Sequence, residues 1–235
     1  MKALILAAGK GTRLRPLTED KPKVLVKVKG RPLIKHIIDD LRSLGVEDIT
    51  VIMGYLGEKL MDALEDYDDL EFIEQKKQLG TAHAIGKSSF ESPFITVNGD
   101  VFMHRKNIER AISYFKNEDP EAVIGSFEVE SPKEFGVLKV DGNRVTDVLE
   151  KPKNPPSNLI NTGTYVFTPG IYRYIDKTDV SERGEYEITE SLKMMLEDGK
   201  DVRHTRFEDY WIDVGKHEDL RKANNLAAAD KTEVV

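Results

Sequence analysis

The sequence predicts an α/β fold with three layers, in which helices cover both faces of a mixed, mostly parallel central sheet. Short apolar runs that suit buried strands alternate with helical patterns throughout residues 1–115. The pattern changes after Pro120 to shorter strands joined by turns. Because parallel neighbours need crossover connections, the alternation implies right-handed βαβ units.

The first half of the chain contains four predicted strands and three predicted helices. The strands are the apolar runs at residues 3–7, 49–53, 72–74 and 94–97. The helix at residues 32–44 has apolar side chains at helical spacing and ends before Gly45. The two shorter helices are residues 56–64 and 82–88.

The second half is predicted to contain strands, a hairpin and two helices. Residues 136–140 and 145–149 form the hairpin around the turn Asp141-Gly142-Asn143. Three prolines make residues 151–157 a loop. The remaining predicted elements are strands at 122–129 and 164–167, helices at 188–197 and 218–229, and a fraying tail at 227–235.

Composition limits the classes of partner. The chain has 235 residues, 35 basic against 42 acidic, and a net charge of −7, which argues against nucleic acid as the main partner. There is no cysteine, so disulfides and thiolate chemistry are excluded. No apolar stretch reaches the roughly 20 residues that span a bilayer, and the N-terminus lacks a signal-peptide pattern. We expect a soluble cytoplasmic protein with no membrane partner.

A glycine-containing loop follows the first predicted strand. Residues 7–14 read AAGKGTRL, and two glycines one residue apart let backbone N–H groups approach an anion. Neither the dinucleotide fingerprint nor the phosphate loop of NTPases fits, because Leu14 stands where a third glycine belongs and no Gly-Lys-Ser/Thr follows. On this segment alone, an ordinary glycine turn remains an equal alternative.

Residues 6–14 (LAAGKGTRL) followed by Pro22-Lys23 resemble the signature of the sugar-1-phosphate nucleotidylyltransferases, in particular of members that transfer uridylyl or thymidylyl groups to glucose 1-phosphate or N-acetylglucosamine 1-phosphate. The resemblance implies a Rossmann-like nucleotide-diphospho-sugar transferase fold whose loop wraps a triphosphate. It assigns Arg13 to the triphosphate and its pyrophosphate leaving group, and Lys23 to the phosphates flanking the reacting phosphorus. The loop residues that it assigns to the nucleotide are Leu6, Ala7, Ala8, Gly9, Gly11 and Thr12.

Residues 75–82 (QKKQLGTA) resemble the family segment that reads the nucleobase. The resemblance implies contacts from the Gln75 side chain, the Gly80 backbone and Thr81. An amide offers both a donor and an acceptor, which suits the imide face of uracil or thymine. UTP or dTTP is therefore favoured. Without the other motifs, a polar loop that ends in a helix cap is the better interpretation.

Two carboxylates resemble the family's metal ligands. Asp100 ends the apolar run at residues 94–97, and Asp213 lies in the strand-like segment WIDVG. Two carboxylates with phosphate oxygens give the oxygen environment that Mg²⁺ prefers. Asp100 alone would be an ordinary turn residue, whereas Asp213 is flanked by Ile212 and Val214 and is harder to explain as a surface charge.

The second half also contains motifs in family order, at residues 135–137, 150–152, 161–163, 183–185 and 187–189. The resemblance implies that Gly136, Glu150 and Asn161 contact the sugar. It assigns the sugar phosphate to Lys151 and Arg183. Taken singly, each of these residues is better explained as an ordinary polar residue, so the prediction depends on their common order.

The resemblance thus predicts one nucleotidyltransferase domain over residues 1–235, with a nucleotide-binding half at 1–118, a sugar-phosphate-binding half at 119–235 and no C-terminal β-helix. The expected reaction joins a nucleoside triphosphate to a hexose 1-phosphate and releases pyrophosphate. The sequence leaves open which base and which sugar are used, including GTP, CTP or a non-sugar alcohol phosphate. It also leaves open a glycosyltransferase, a non-catalytic regulatory homologue and the formation of a homo-oligomer.

Among the histidines, His36 and His83 are predicted in helices and His104, His204 and His217 at the surface. Trp211 is predicted to pack behind the metal site.

Overall fold

The structure, a computed structural model, describes residues 1–229 and contains thirteen strands and seven helices in that range. The strands are β1 (Lys2–Ala7), β2 (Lys27–Val28), β3 (Arg31–Pro32), β4 (Ile49–Met53), β5 (Glu71–Glu74), β6 (Phe94–Asn98), β7 (Val101–Met103), β8 (Ala122–Glu128), β9 (Gly136–Asp141), β10 (Arg144–Glu150), β11 (Leu159–Phe167), β12 (Val202–Arg206) and β13 (Trp211–Asp213). The helices are α1 (Leu33–Ser43), α2 (Gly57–Ala63), α3 (Thr81–Ile85), α4 (Arg105–Glu118), α5 (Tyr172–Ile175), α6 (Ile188–Glu197) and α7 (His217–Ala229).

Nine strands form one sheet in the order β5-β4-β1-β6-β11-β8-β12-β10-β9. The first four are parallel to one another, as the alternation of strands and helices predicts. β1 lies between β4 and β6, so its carboxyl end and the loop after it are at the centre of this parallel part.

The prediction of a mostly parallel sheet is wrong for the second half. Of the nine pairings in this sheet, only β8 with β12 is parallel outside the first four strands, and five are antiparallel. An additional pairing of β9 with β11 closes β11, β8, β12, β10 and β9 into a barrel-like ring. The apolar pattern of a buried strand carries no information about its direction, which is why the sequence did not reveal this change.

Two hydrophobic clusters lie on opposite faces of the sheet, which confirms the three layers. Alternate residues of β1 enter different clusters: Ile5 joins the side of α1 and α4, and Leu4 joins the side of α3 and α6. A third, smaller cluster connects Leu14 of the glycine loop with Val214 and Ala223 near the end of the described chain. The N-terminal loop and the C-terminal segment are therefore packed together.

Several predicted details need correction. The sequence prediction did not include α4, although Ile108, Ala111 and Phe115 have helical spacing and are buried. His204 is buried rather than at the surface, because β12 is an interior strand: its Nδ1 is 2.8 Å from Ser126 Oγ and its Nε2 is 3.1 Å from the carbonyl of Gly142. Of the predicted tail, residues 227–229 continue α7 and residues 230–235 lie outside the described residues.

Within residues 1–229, none of the helices combines the length and apolarity needed to cross a membrane.

Candidate active site

The glycine loop after β1 turns sharply at Gly11. This residue has a φ of 63° and precedes a short 3₁₀ turn over Thr12–Leu14. Its carbonyl accepts a hydrogen bond from the hydroxyl of Thr18 at 2.7 Å. A Cβ atom at Gly11 would lie 2.7 Å from Cβ of Lys23, which is closer than real Cβ atoms come. Only glycine satisfies both the left-handed backbone and the close passage of Lys23 beneath the loop.

The structure brings Asp100 and Asp213 together, although they are far apart in the sequence. Asp100 follows β6, and Asp213 is the last residue of β13. β13 pairs antiparallel with β7, which places Asp213 opposite Val101, and the N–H of Val214 donates to the carbonyl of Asp100 at 3.0 Å. The two-stranded sheet is thus the element that juxtaposes the carboxylates.

The ammonium group of Lys23 contacts both aspartates. Its Nζ is 2.6 Å from Oδ2 of Asp100 and 3.5 Å from Oδ1 of Asp213, and its side chain is 9% exposed. Burial lowers the pKa of Lys23, but the negative charges of Asp100 and Asp213 outweigh that effect, so the pKa lies above its ordinary value. Lys23 therefore stays charged at neutral pH.

The aspartate pair has the properties of a cation-binding site. Burial, and then repulsion from Asp100, raises the pKa of Asp213 above its ordinary value, although Lys23 and Arg13 act in the opposite direction. Two partly buried carboxylates that already share one cation fit Mg²⁺, which proteins often hold through one or two carboxylates. No cluster of three or more acidic or histidine ligands occurs within residues 1–229, so substrate phosphates and water would have to complete the coordination.

Arg13 lies beside this group. A Cβ atom at Gly215 would come within 3.2 Å of Nη2 of Arg13 and within 3.6 Å of Oδ2 of Asp213. The guanidinium therefore lies over Gly215, next to Asp213, and Arg13 as a whole is exposed. Gly9 and Thr12 are also accessible in or close to this loop.

A second group of charged side chains surrounds Glu150, the last residue of β10. Its Oε1 is 3.2 Å from Nη1 of Arg183 and 3.8 Å from Nζ of Lys151, and its Oε2 accepts a hydrogen bond from the hydroxyl of Thr189 at 3.3 Å. A Cβ atom at Gly136 would meet Thr189 and Glu150 at 3.2 and 3.3 Å. A side chain at position 136 would therefore be crowded by Thr189 and Glu150, and glycine lets the backbone pass close to both.

Asn161 connects the two groups. Its amide nitrogen donates to the hydroxyl of Tyr165 at 2.6 Å, and its carbonyl oxygen accepts from the N–H of Gly163 at 2.9 Å. Gly163 has a φ of 74° at an irregularity in β11, where a side chain would overlap Asn98. A cavity of about 90 Å³ lies at the first of these groups, and its lining includes Asn98, Asp100, Asn161, Gly163, Trp211 and Asp213.

The segment before α3 forms a third group. The amide nitrogen of Gln75 donates to the carbonyl of Gly80 at 3.2 Å, and the Gln75 side chain is buried. Gly80 has a φ of 106° and ψ of 174°, and a Cβ atom there would lie 2.5 Å from the carbonyl oxygen of Tyr186. Tyr186 donates to Leu79 and accepts from Ala82, so this segment is docked on the chain just before α6. Thr81 is the first residue of α3, one residue before the predicted start of this helix at residue 82.

The family model described as Nucleotidyl transferase matches residues 2–230. The chain belongs to the nucleotidyl transferase family. It is 38% identical to the bifunctional protein GlmU of Methanocaldococcus jannaschii over 227 residues, which are 95% of this chain and 53% of that protein. It is 35% identical to the UTP–glucose-1-phosphate uridylyltransferase AglF of Haloferax volcanii over 99% of both chains. This nucleotidyl transferase chain spans about half the length of the first of these relatives.

Solved structures agree with the membership in the nucleotidyl transferase family. A Bacillus anthracis protein described as a candidate glucose-1-phosphate thymidylyltransferase superimposes with a TM-score of 0.84 at 30% identity, covering 97% of this chain and 95% of that one. A UDP-glucose pyrophosphorylase in complex with UDP-glucose gives a TM-score of 0.86 at 23% identity, with 97% and 98% coverage, and shares the fold.

Two residues of this nucleotidyl transferase chain that contact the predicted site residues had no role in the sequence prediction. Thr189 donates to Glu150, and Glu187 is 4% exposed and lies 3.7 Å from Arg183. Both belong to the motif at residues 187–189, which the sequence predicted as part of the site without giving either residue a role. Only their burial and contacts show that they lie beside Glu150 and Arg183. Trp211 lines the cavity at Asp213 and donates its indole N–H to the carbonyl of Thr162 at 3.1 Å.

Proposed function

We propose that this chain is a sugar-1-phosphate nucleotidylyltransferase, which joins UTP or dTTP to a hexose 1-phosphate and releases pyrophosphate. The observation that carries the proposal is the group of Lys23, Asp100 and Asp213 beside the glycine loop, with its two carboxylates around one buried ammonium. The names of the relatives, which include a UTP–glucose-1-phosphate uridylyltransferase, support the same reaction class.

In this proposal an oxygen of the sugar phosphate attacks the α-phosphorus of the triphosphate. The new P–O bond forms as the bond between the α-phosphorus and the oxygen that bridges to the β-phosphorus breaks. That oxygen leaves as part of pyrophosphate. The attacking oxygen is already anionic at neutral pH, so the chain needs no nucleophile of its own. Its task is to align two polyanions and to neutralise their charge.

The cations of the site lie in two places that suit this task. Arg13 and Lys23, near the glycine loop, would stabilise the charge that develops on the leaving pyrophosphate. Lys151 and Arg183, which flank Glu150, would hold the phosphate of the sugar. Glu150, Asn161 and the backbone of Gly136 would contact sugar hydroxyls.

Asp100 and Asp213 would hold Mg²⁺, and Asp213 must be ionised to do so. When bound, the metal supplies Lewis-acid stabilisation of phosphate charge. Lys23, which contacts both carboxylates, would hold them in place for the metal.

The testing experiment measures pyrophosphate release from five nucleoside triphosphates crossed with a panel of sugar 1-phosphates, with Mg²⁺ and with EDTA. We expect release with UTP or dTTP and a hexose 1-phosphate, and its loss in EDTA. If folded protein that still binds nucleotide releases no pyrophosphate with any substrate pair, the proposal is overturned in favour of an alcohol-phosphate acceptor or a regulatory homologue. A signal with CTP or GTP alone would overturn the base assignment only.

A further inference from the structure

We propose that His83 is a positioning residue for Gln75. It fixes the Gln75 amide so that the carbonyl oxygen, and not the NH₂ group, faces the base, and it thereby selects uracil and thymine nucleotides over cytosine nucleotides. This inference rests on the proposed function, because it assigns a specificity determinant to the predicted base-reading segment.

The orientation of the Gln75 amide follows from its two contacts. Its nitrogen is 3.2 Å from the carbonyl oxygen of Gly80 and 2.7 Å from Nδ1 of His83. Because a peptide carbonyl only accepts hydrogen bonds, the amide atom beside Gly80 must be the nitrogen. Nδ1 of His83 must then accept the second N–H, so the ring proton is on Nε2.

This pair of acceptors leaves one group of the amide for a ligand. Both N–H bonds of Gln75 are used within the chain, whereas its carbonyl oxygen has no hydrogen-bond partner among residues 1–229. Gln75 is only 3% exposed, so its amide is held among packed atoms and not free to rotate in solvent. Without an acceptor at position 83, Gly80 alone would oppose rotation of the amide.

The imidazole is itself held in place. Its ring stacks on Tyr186 with centroids 6.2 Å apart, and Tyr186 also packs against Gly80 through its backbone. Burial, and then the charge of Lys87, lowers the pKa of His83 below its ordinary value. The neutral ring therefore keeps its lone pair on Nδ1 at neutral pH, which the contact with Gln75 requires.

The chemistry of the bases gives the consequence. Uracil and thymine present an N–H at ring position 3, which a carbonyl oxygen accepts, whereas cytosine presents a lone pair there. A buried acceptor that faces another acceptor loses its hydrogen bond and is repelled, so the fixed amide disfavours cytosine. Uracil and thymine are equivalent at this position, so the amide does not distinguish UTP from dTTP.

The test compares two variants of similar size, His83→Asn and His83→Leu. The Oδ1 atom of asparagine can occupy the position of Nδ1 and accept from Gln75, whereas leucine offers no acceptor. The measured quantity is the ratio of kcat/KM for UTP to that for CTP with one sugar 1-phosphate at pH 8. We expect the ratio to fall about tenfold in His83→Leu and to stay within about threefold of wild type in His83→Asn.

A second comparison shows whether His83 acts through Gln75. In a Gln75→Ala background, His83→Leu should not change the ratio further, because the amide that it positions is gone. If His83 had a purely structural role, its substitution would lower the rates with both nucleotides equally. The loss would then be larger in His83→Asn than in His83→Leu, since asparagine is the poorer helix former. Equal ratios in His83→Leu and wild type, or a wild type that does not prefer UTP, would overturn the inference.

Calorimetric Kd values for UTP and CTP separate this inference from the proposed function. If the protein binds UTP selectively, loses that selectivity in His83→Leu and yet releases no pyrophosphate, His83 positions Gln75 and the proposed reaction is wrong. If pyrophosphate is released but His83→Leu has the same UTP-to-CTP ratios of kcat/KM and of affinity as wild type, only the role of His83 is wrong. If none of UTP, dTTP and CTP binds, both proposals fail.

Discussion

At the residue scale, the contacts of Lys23 explain why one buried lysine is tolerated in this chain. Its side chain is 9% exposed, and two carboxylates compensate for its desolvation. The same arrangement makes the aspartates interdependent, because burial and repulsion oppose the ionisation of Asp213. Removing either carboxylate changes the charge of the whole group.

Asp213→Asn should reduce turnover by at least roughly a hundredfold, because it removes one oriented electrostatic contact at the reacting phosphates. The fold should remain intact, since asparagine has nearly the same shape and Lys23 keeps Asp100 at 2.6 Å. Pyrophosphate release and circular dichroism would be compared with those of Asp68→Asn, because Asp68 is exposed and distant in sequence from Asp213. Near-normal release by Asp213→Asn would show that this carboxylate does not hold the metal.

Lys151→Ala should raise KM for the sugar 1-phosphate about tenfold or more, because a charge-assisted contact with its phosphate is lost. Affinity for the nucleoside triphosphate should change little. Lys153→Ala is the matched control, since Lys153 is an exposed lysine of the same loop. If the loss in Lys151→Ala is confined to nucleotide binding, the role assigned to Lys151 is wrong.

At the element scale, short segments of irregular backbone position the site. The loop after β1, the irregularity in β11 and the segment before α3 each depend on a glycine with positive φ: Gly11, Gly163 and Gly80. In each case a side chain would collide with another part of the chain. These glycines are therefore points where two elements approach closely, and not only flexible turns.

Gly80→Ala should weaken UTP binding and lower the free energy of unfolding by about 1–3 kcal/mol. The φ of 106° is unfavourable for alanine, and the added Cβ would lie 2.5 Å from a backbone oxygen of Tyr186. Urea denaturation and calorimetry would be compared with Gly170→Ala, where φ is outside the left-handed region and the nearest atom, in the side chain of Thr168, would be 3.3 Å away. Equal effects of the two changes would contradict the importance of this contact.

At the scale of the whole molecule, two differently built parts share one sheet. The parallel part places the glycine loop at the end of β1, and the antiparallel part, closed by β9 with β11, places Glu150 and Asn161. β11 joins the two parts by pairing with β6. Helices on both faces stabilise this arrangement, and the partly buried carboxyl of Asp40 on α1 makes its stability depend on pH.

Asp40, on α1, should make the protein less stable as the pH rises. Burial raises its pKa from 3.8 to about 6, while Arg105 opposes the shift and Asp39 adds to it. Because the folded pKa lies above the unfolded one, the favourable contribution is present below about pH 4 and is lost as the pH rises through about 6. Asp40→Asn should therefore be more stable than wild type at pH 8, and the advantage should shrink toward pH 4.

Urea denaturation of wild type and Asp40→Asn at pH 4.5, 6 and 8 would measure this difference, with Asp68→Asn as the exposed control. A constant difference between Asp40→Asn and wild type across this range would show that the carboxyl of Asp40 does not titrate with a raised pKa.

The sequence by itself determined the three-layer architecture and the positions of several strands and helices. Periodicity predicted β1, β4, β6, α1 and α6 to within one or two residues, because burial of alternate or helically spaced side chains is a local requirement. The motif residues that resemble the family signature lie in three groups, around Lys23, Glu150 and Gln75.

Only the tertiary structure decided which of these residues meet. Strand direction depends on pairing with distant partners, so the antiparallel half and the burial of His204 could not be read from local patterns. The meeting of Lys23 with Asp100 and Asp213 depends on the pairing of β7 with β13. The contact of His83 with Gln75 depends on where α3 begins and on the docking of Gly80 against Tyr186. These are distances between segments that are not fixed until the chain is folded.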